Sequence, residues 1–115
     1  MTLEIKRIIL FARDLNALAL FYRAVLGLAE LDTPDDPRTW REFSAGACNI
    51  ALHNGGAITK GRPPKIVFYA QDVAAARDTL NARGANFEQI IKTGEFALCN
   101  GTDPEGNALA LSSRV

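Results

Sequence analysis

One stretch of the sequence occurs twice, and this repeat limits what the chain can fold into. Residues 7–15 read RIILFARDL, and residues 65–73 read KIVFYAQDV, 58 positions later (65 − 7 = 58). In each copy a basic residue opens an apolar strand, a small residue closes it, and an Asp stands where a helix N-cap belongs. A helical pattern and a glycine, Gly27 or Gly84, follow in both copies. A matched strand, cap, helix and stop indicate a duplicated module.

The composition is that of one domain without a strong charge. At 115 residues the chain can bury a core without disulfides or metal ions as staples. Lys+Arg and Asp+Glu both number 13, so the formal net charge is zero and no nucleic-acid partner is expected. The first residues are charged where a signal peptide needs an apolar run, and no segment is long enough to span a bilayer. We therefore expect a cytoplasmic protein with no membrane partner, in which Cys48 and Cys99 are reduced core thiols.

Hydrophobic periodicity and turn residues predict the same element order, βαβββ, in both halves. Module one is expected to contain a helix that follows Asp14 and ends near Gly27, with Leu15, Leu18, Tyr22 and Val25 as its apolar stripe. Its strands are expected over about 3–11, 28–31, 39–43 and 48–53. Module two is expected to contain a helix over about 73–83 and strands over about 65–70, 87–91, 96–100 and 107–112. Module one then covers about residues 1–54, a Gly- and Pro-rich linker about 55–63, and module two about 64–115.

The competing interpretation is a ferredoxin-like βαββαβ domain, which is also a duplicated unit. It has one strand fewer after each helix, so three strand candidates after each helix favour βαβββ. The predicted fold class is α+β, with two βαβββ modules in a single domain of residues 1–115. If each module forms a curved sheet with its helix on the convex side, the concave faces line a cleft.

The alternation of side chains along each strand predicts which residues face that cleft. The first strand and its copy supply Arg7, Ile9, Phe11, Lys65, Val67 and Tyr69. The other strands supply Trp40, Glu42, Asn49, Ala51, His53, Ala108, Ala110 and Ser112. This mixture of aromatic, small and basic side chains is typical of a small-molecule pocket.

Three sequence features together resemble the vicinal oxygen chelate superfamily. They are the phrase from Asp14 to Leu28, which is similar to the family's D-x-x-x-x-x-F-Y-x-x-V-L-G-L, its copy at 65–73, and the turn Asp103-Pro104-Glu105-Gly106-Asn107. The superfamily includes glyoxalase I, ring-cleaving dioxygenases, fosfomycin-resistance enzymes and bleomycin-resistance proteins. The resemblance covers essentially all 115 residues and implies a glyoxalase-like domain that pairs as a homodimer.

The same resemblance implies where a metal ion would bind. Enzymes of the superfamily hold a divalent ion with His or Glu at up to four inward positions. Those positions correspond here to Arg7, Ala51, Lys65 and Ala110, and neither a protonated Arg or Lys nor an Ala offers a lone pair. A register error of one residue adds only His53 or Glu42 as single ligands. We therefore expect no metal ion and no other cofactor.

The first functional hypothesis is a metal-independent small-molecule-binding protein of the bleomycin-resistance type. In it the charges of Arg7 and Lys65 hold an anionic or oxygen-rich ligand. The expected ligand contacts are Arg7, Phe11, Trp40, Glu42, His53, Lys65 and Tyr69. In the structural alternative, Arg7 and Lys65 reach the rim or pair with an acid such as Glu42. The aromatic residues then form wall or core, and His53 makes a local hydrogen bond.

Two further hypotheses stay open at the level of sequence. One is an enzyme, a glyoxalase-like lyase or isomerase or a dioxygenase. It would use metal ligands outside the assigned positions, or no metal and His53 or Lys65 as the base. The other is a dimeric interaction module with no ligand. The identity of the ligand and the pairing of the modules, within one chain or across a dimer, also stay open.

Overall fold

The structure is a computed structural model that describes residues 2, 4–55 and 63–115. The chain divides into two compact units, Met1–Ile58 and Thr59–Val115. Each unit contains one helical segment and one four-stranded mixed sheet. The predicted α+β class with two βαβββ modules is confirmed. Of the predicted linker, residues 56–62 lie outside the described residues.

Module one holds its strands in the order β1-β4-β3-β2. Its elements are β1 (Arg7–Ala12), α1 (Leu15–Leu20), a π-helical turn (Phe21–Val25), β2 (Ala29–Glu30), β3 (Trp40–Ser44) and β4 (Asn49–Asn54). β1 runs parallel to β4, and the other neighbours are antiparallel.

Module two repeats this topology in the order β5-β8-β7-β6. Its elements are β5 (Lys65–Tyr69), α2 (Val73–Ala82), β6 (Ile91–Thr93), β7 (Phe96–Thr102) and β8 (Ala108–Ser112). β5 is parallel to β8, and the remaining pairs are antiparallel. In the described part of the chain, no helix is both long and apolar enough to cross a bilayer.

Both helices begin as the sequence predicts. The side chain of Asp14 accepts a hydrogen bond from the backbone amide of Ala17 at 3.0 Å, and that of Asp72 accepts one from Ala75 at 3.0 Å. Each bond satisfies an amide that the first helical turn leaves without an intrahelical partner. The duplicated Asp therefore fixes the start of a helix in both modules.

The core of each module lies between its sheet and its helix. In module one the side chains of Leu18, Tyr22, Phe43 and Leu52 are completely buried, and the rings of Tyr22 and Phe43 lie 6.3 Å apart. In module two the buried residues of this core are Val73, Phe87, Cys99, Leu109 and Leu111. Because Phe43 contacts the helix, alternation turns its neighbours Trp40, Glu42 and Ser44 to the opposite face of the sheet.

The first helix departs from the regular α-helix expected from its apolar stripe. The amide of Leu26 donates to the carbonyl oxygen of Phe21 at 3.0 Å, five residues back, which is the hydrogen bond of a π-turn. Phe21 and Tyr22 are both buried, and their rings meet edge to face at 5.5 Å. The α-helical spacing predicted Tyr22 in the core but not Phe21, because consecutive residues point in different directions in an α-helix.

The predicted strand over 87–91 is also displaced, to Ile91–Thr93. Phe87 is buried, but its backbone is held by a side chain and not by a neighbouring strand. The amide of Phe87 donates to Oδ1 of Asn81 at 2.9 Å, and Nδ2 of Asn81 donates to the Phe87 carbonyl oxygen at 2.9 Å. Of the two expected core thiols, Cys99 is buried, whereas Cys48 is only half-buried.

Candidate functional site

Each sheet presents one face away from its helix, and the predicted site residues lie on these two faces. In module one Arg7 pairs with Asn49 across β1 and β4, and Glu42 pairs with Ala51 across β3 and β4. In module two Lys65 occupies the position equivalent to Arg7, and it pairs with Ala108 across β5 and β8.

A buried carboxylate forms the centre of the module-one face. Glu42 is 6% exposed and accepts three hydrogen bonds. The donors are Nε of Arg7 at 3.1 Å, Nε1 of Trp40 at 3.1 Å and Nδ2 of Asn49 at 2.8 Å. Burial raises the pKa of Glu42, but the bonds from Asn49, Arg7 and Trp40, with the positive charge of Arg7, bring that pKa below its usual value.

The structure therefore brings three of the predicted site residues, Arg7, Trp40 and Glu42, into one cluster. Arg7 makes the ion pair with Glu42 that the sequence offered as the structural alternative. Asn49 is a fourth member, and it was absent from the predicted contacts although alternation placed it on this face. The charge of Arg7 is thus compensated within the module.

Beside this cluster, three rings meet at the end of β4. The ring of His53 lies 5.6 Å from that of Phe11 and 5.7 Å from that of Trp40. Nδ1 of His53 lies 2.6 Å from the carbonyl oxygen of Asn54. Since a carbonyl oxygen only accepts, Nδ1 carries the proton, and in the neutral imidazole Nε2 has the lone pair. This is the local hydrogen bond that the structural alternative for His53 expected.

In module two a basic side chain again bonds a side chain of the third strand, but this partner is neutral. Nζ of Lys65 donates to Oδ1 of Asn100 at 2.8 Å. Asn100 lies on the third strand of its sheet as Glu42 does, and the two are separated by the offset of the repeat (100 − 42 = 58). The basic residue that meets a carboxylate in module one therefore meets a neutral amide in module two. Among the described residues, Lys65 has no carboxylate partner within 4.0 Å.

A depression of about 370 Å³ lies on the same face of module two. Its lining residues are Lys65, Val67, Phe96, Leu98, Ala110, Ser112, Arg114 and Val115. The guanidinium carbon of Arg114 lies 5.3 Å from the centre of the Phe96 ring. The sequence-based prediction missed Arg114 because it follows the last strand, although it has the same parity as Ala110 and Ser112.

Tyr69 also lies on the exposed face of module two, with 60% of its surface accessible, but outside the lining of the depression. Phe11, on the first strand of module one, is 48% exposed. Five of the seven predicted contacts thus lie together on the module-one face, namely Arg7, Trp40, Glu42, His53 and Phe11. The other two, Lys65 and Tyr69, lie on the module-two face, where only Lys65 lines the depression.

Comparison with known proteins identifies the family. The model of the Glyoxalase/Bleomycin resistance protein/Dioxygenase superfamily matches residues 4–111. The chain belongs to this superfamily. No functionally curated protein matches it.

Solved structures of the superfamily share this fold. Lactoylglutathione lyase from Agrobacterium tumefaciens is 23% identical, with 94% of this chain and 91% of that chain covered and a TM-score of 0.76. A glyoxalase/bleomycin resistance protein/dioxygenase family enzyme from Burkholderia phytofirmans is 20% identical, with 96% and 98% covered and a TM-score of 0.81. Fosfomycin resistance protein FosX from Mesorhizobium loti is 14% identical, with 100% and 95% covered and a TM-score of 0.77. At these identities the likeness is one of fold.

The donor groups do not fit the divalent metal ion that the superfamily implies. Within the described ranges, no three side chains of His, Cys, Asp or Glu come together in an arrangement that could hold a metal ion. Glu42, the carboxylate of the module-one face, already accepts hydrogen bonds at both oxygens. A divalent ion would have to displace these donors and overcome the repulsion of Arg7.

Proposed function

We propose that this member of the superfamily is a metal-independent small-molecule-binding protein whose ligand is anionic or oxygen-rich. The observation that supports it most directly is the unequal charge of the two module faces. Glu42 compensates Arg7 in module one, whereas the partner of Lys65 among the described residues of module two is the neutral Asn100. An ammonium group has three donors, so Lys65 keeps two for a ligand after bonding Asn100.

The surroundings of Lys65 favour binding over simple solvation. The depression joins this charge to apolar side chains of Val67, Leu98 and Phe96. Its volume of about 370 Å³ lies at the small end of the range found for ligand pockets. Solved relatives of this fold include proteins named as a lyase and as a fosfomycin-resistance protein, so small-molecule chemistry is found on the same scaffold.

Metal independence is tested on purified protein by elemental analysis and by titration with nickel, zinc, iron and manganese ions. We expect no stoichiometric metal and an unchanged melting temperature, with protein treated with a chelator as the control. An ion present at 100 times its dissociation constant would stabilise the fold by about 2.7 kcal/mol. In a domain of this size that corresponds to a rise of roughly 10 °C. Such a rise, or bound metal at one equivalent, would refute the proposal.

Ligand binding is tested by screening small organic anions and their neutral amides for a rise in melting temperature. We expect anions to stabilise the protein, and Lys65→Met to abolish the effect. Lys92→Met is the matched control, because Lys92 is exposed on β6 and lines no described depression. Arg7→Met should have a smaller effect than Lys65→Met, since Glu42 already compensates Arg7. Equal stabilisation by anions and amides would contradict the proposal.

A second candidate function is metal-free catalysis with His53 as the general base. The hydrogen bond to Asn54 leaves Nε2 as the basic nitrogen, and Phe11 and Trp40 flank the ring. Glyoxalase, isomerase and dioxygenase assays of the wild type and of His53→Gln test it. Turnover that is lost in His53→Gln would favour the enzyme, whereas no turnover by the wild type would leave the binding function.

We also propose that the chain forms homodimers. The faces turned away from the helices expose large apolar side chains, among them Ile9, Phe11, Val67 and Tyr69 at 43%, 48%, 57% and 60%. Exposed apolar groups of this size are characteristic of interaction surfaces. Light scattering after size exclusion will measure the mass, for which we expect twice the 12.5 kDa of one chain.

A further inference from the structure

The depression of module two has a cation at each end. At one end Lys65 stands on β5, and its partner Asn100 stands on β7, on the far side of β8. The Lys65 side chain must therefore pass over β8, close to Ala110, which pairs with Asn100. The small side chain of Ala110 leaves room for the methylene groups of Lys65 and does not fill the depression.

Arg114 marks the other end. Beyond β8 the chain still contacts β7, because the amide of Ser113 donates to the carbonyl oxygen of Ala97 at 3.0 Å. The amide of Arg114 donates to Oγ of Ser112 at 3.1 Å, and the guanidinium lies over the Phe96 ring. A guanidinium stacked on a ring keeps its N–H donors in its own plane, where they can meet a carboxylate.

The two charges are separated by an apolar floor. The four-residue step from Ala110 to Arg114 spans at most about 13 Å, the length that the usual rise of a strand would give. Val67, Leu98 and Ala110 lie along this stretch of the depression.

Within the part of the chain that the structure describes, neither cation is compensated, because no carboxylate lies within 4.0 Å of Lys65 or Arg114. The acid beside Arg114 is Glu95, which with Phe96 and Arg114 lines a neighbouring depression of about 360 Å³. Glu95 weakens the positive potential at the Arg114 end, so the Lys65 end is the stronger site for an anion.

We infer that module two binds an elongated dicarboxylate, with one carboxylate at Lys65, the other at Arg114 and an apolar chain on the floor between them. The inference rests on the proposed binding function and names the class of ligand. Each end offers one cation, which matches the single charge of a carboxylate better than the nearly double charge of a phosphate monoester. The apolar chain gains by leaving water along Val67 and Leu98.

Isothermal titration calorimetry with three probes of equal chain length tests the inference. Suberate has a carboxylate at both ends, octanoate has one, and suberamide has none. We expect suberate to bind about ten-fold to a hundred-fold more tightly than octanoate, because each charge-assisted hydrogen bond adds about that factor. Suberamide should bind more weakly than octanoate.

Three variants assign the two ends. Arg114→Met should reduce the affinity for suberate to that of octanoate, and Lys65→Met should reduce it further because it removes the stronger site, whereas Lys92→Met should leave it unchanged. Asn100→Glu keeps Lys65 but gives it the carboxylate partner that Arg7 has in module one, so it should weaken suberate binding as much as Lys65→Met does. If Lys65→Met fails to fold by circular dichroism, Lys65→Gln and Asn100→Glu provide the same information.

Equal affinities for suberate and octanoate would overturn the inference, and so would suberate binding unchanged by Arg114→Met. Absence of suberate binding at millimolar concentration would overturn it as well. The proposed function would survive all three results if the wider screen of anions still showed stabilisation that depends on Lys65. Absence of that stabilisation would refute the proposed function itself.

Discussion

Replacing Glu42 with Gln will measure how much the buried carboxylate contributes to the stability of the fold. Glu42 is 6% exposed and accepts from Arg7, Trp40 and Asn49. A hydrogen bond to a charged group contributes about 1.5–3 kcal/mol, and a neutral one about 1 kcal/mol. Gln also places an N–H group against one of the three donors. Over three bonds the expected loss is about 3 kcal/mol, moderated because the Arg7 side chain keeps 39% exposure.

Urea unfolding followed by circular dichroism will give the free energies, and a loss of about 3 kcal/mol corresponds to a fall of roughly 12 °C in melting temperature. Fluorescence adds a local readout, because Trp40 is the single tryptophan and bonds directly to Glu42. Glu88→Gln is the matched control, since Glu88 is exposed.

The pH dependence of the same pair of proteins separates a charge effect from a packing effect. The folded-state pKa of Glu42 lies below the ordinary value of 4.5, because the three donors and Arg7 outweigh burial. A lowered folded-state pKa stabilises the protein above the unfolded-state pKa, and this contribution is lost as the pH falls through the folded-state value. The difference between wild type and Glu42→Gln should therefore be largest at neutral pH and shrink below about 4.5. A loss under about 0.5 kcal/mol, no larger than that of a surface substitution, would refute the reasoning.

Three further outcomes follow from the structure. Gly101→Ala should destabilise the fold by about 2 kcal/mol. Its Cβ would lie 2.9 Å from a ring carbon and 3.3 Å from the backbone of Phe87, so an unchanged melting temperature would contradict the packing described. Asp72→Ala removes the side-chain acceptor from the first turn of α2 and should cost about 1 kcal/mol in urea unfolding, whereas Asp72→Asn should cost less. In a thiol-labelling assay Cys48 should react first, because burial raises the pKa of the Cys99 thiol and shields it; equal rates would contradict this.

The repeat made the fold predictable from the sequence. A strand with alternating side chains, an Asp at the helix N-cap and a glycine at the helix end are local signals, and they occur in the same order in both halves. The strand predicted over 87–91 was displaced because the side chain of Asn81, six residues earlier, binds the backbone of Phe87. A hydrogen bond between a side chain and a distant backbone group leaves no repeating pattern of residues in the sequence.

The candidate site was predictable only in part. Alternation gives the face on which a side chain lies, but not the partner that it reaches two strands away. Arg7 and Lys65 are matched in the sequence, yet one meets Glu42 and the other Asn100. Glu42 and Asn100 are 58 residues apart (100 − 42 = 58), which is visible in the sequence. Only the register of the strands shows that each of them lies within reach of the basic residue of its module. Arg114 was missed because side-chain alternation predicts the orientation of residues within a strand only, and Arg114 follows the end of the last predicted strand.

The π-turn of module one explains how the two copies keep the same path with different lengths. From Asp14 to Gly27 there are 13 steps (27 − 14 = 13), whereas from Asp72 to Gly84 there are 12 (84 − 72 = 12). A π-turn closes over one residue more than an α-turn does, so it takes up a one-residue difference inside the helix. Both helices can then start from the same cap and end at a glycine with positive φ, 76° for Gly27 and 109° for Gly84. The two halves have thus diverged in length without changing how their helices connect to the strands.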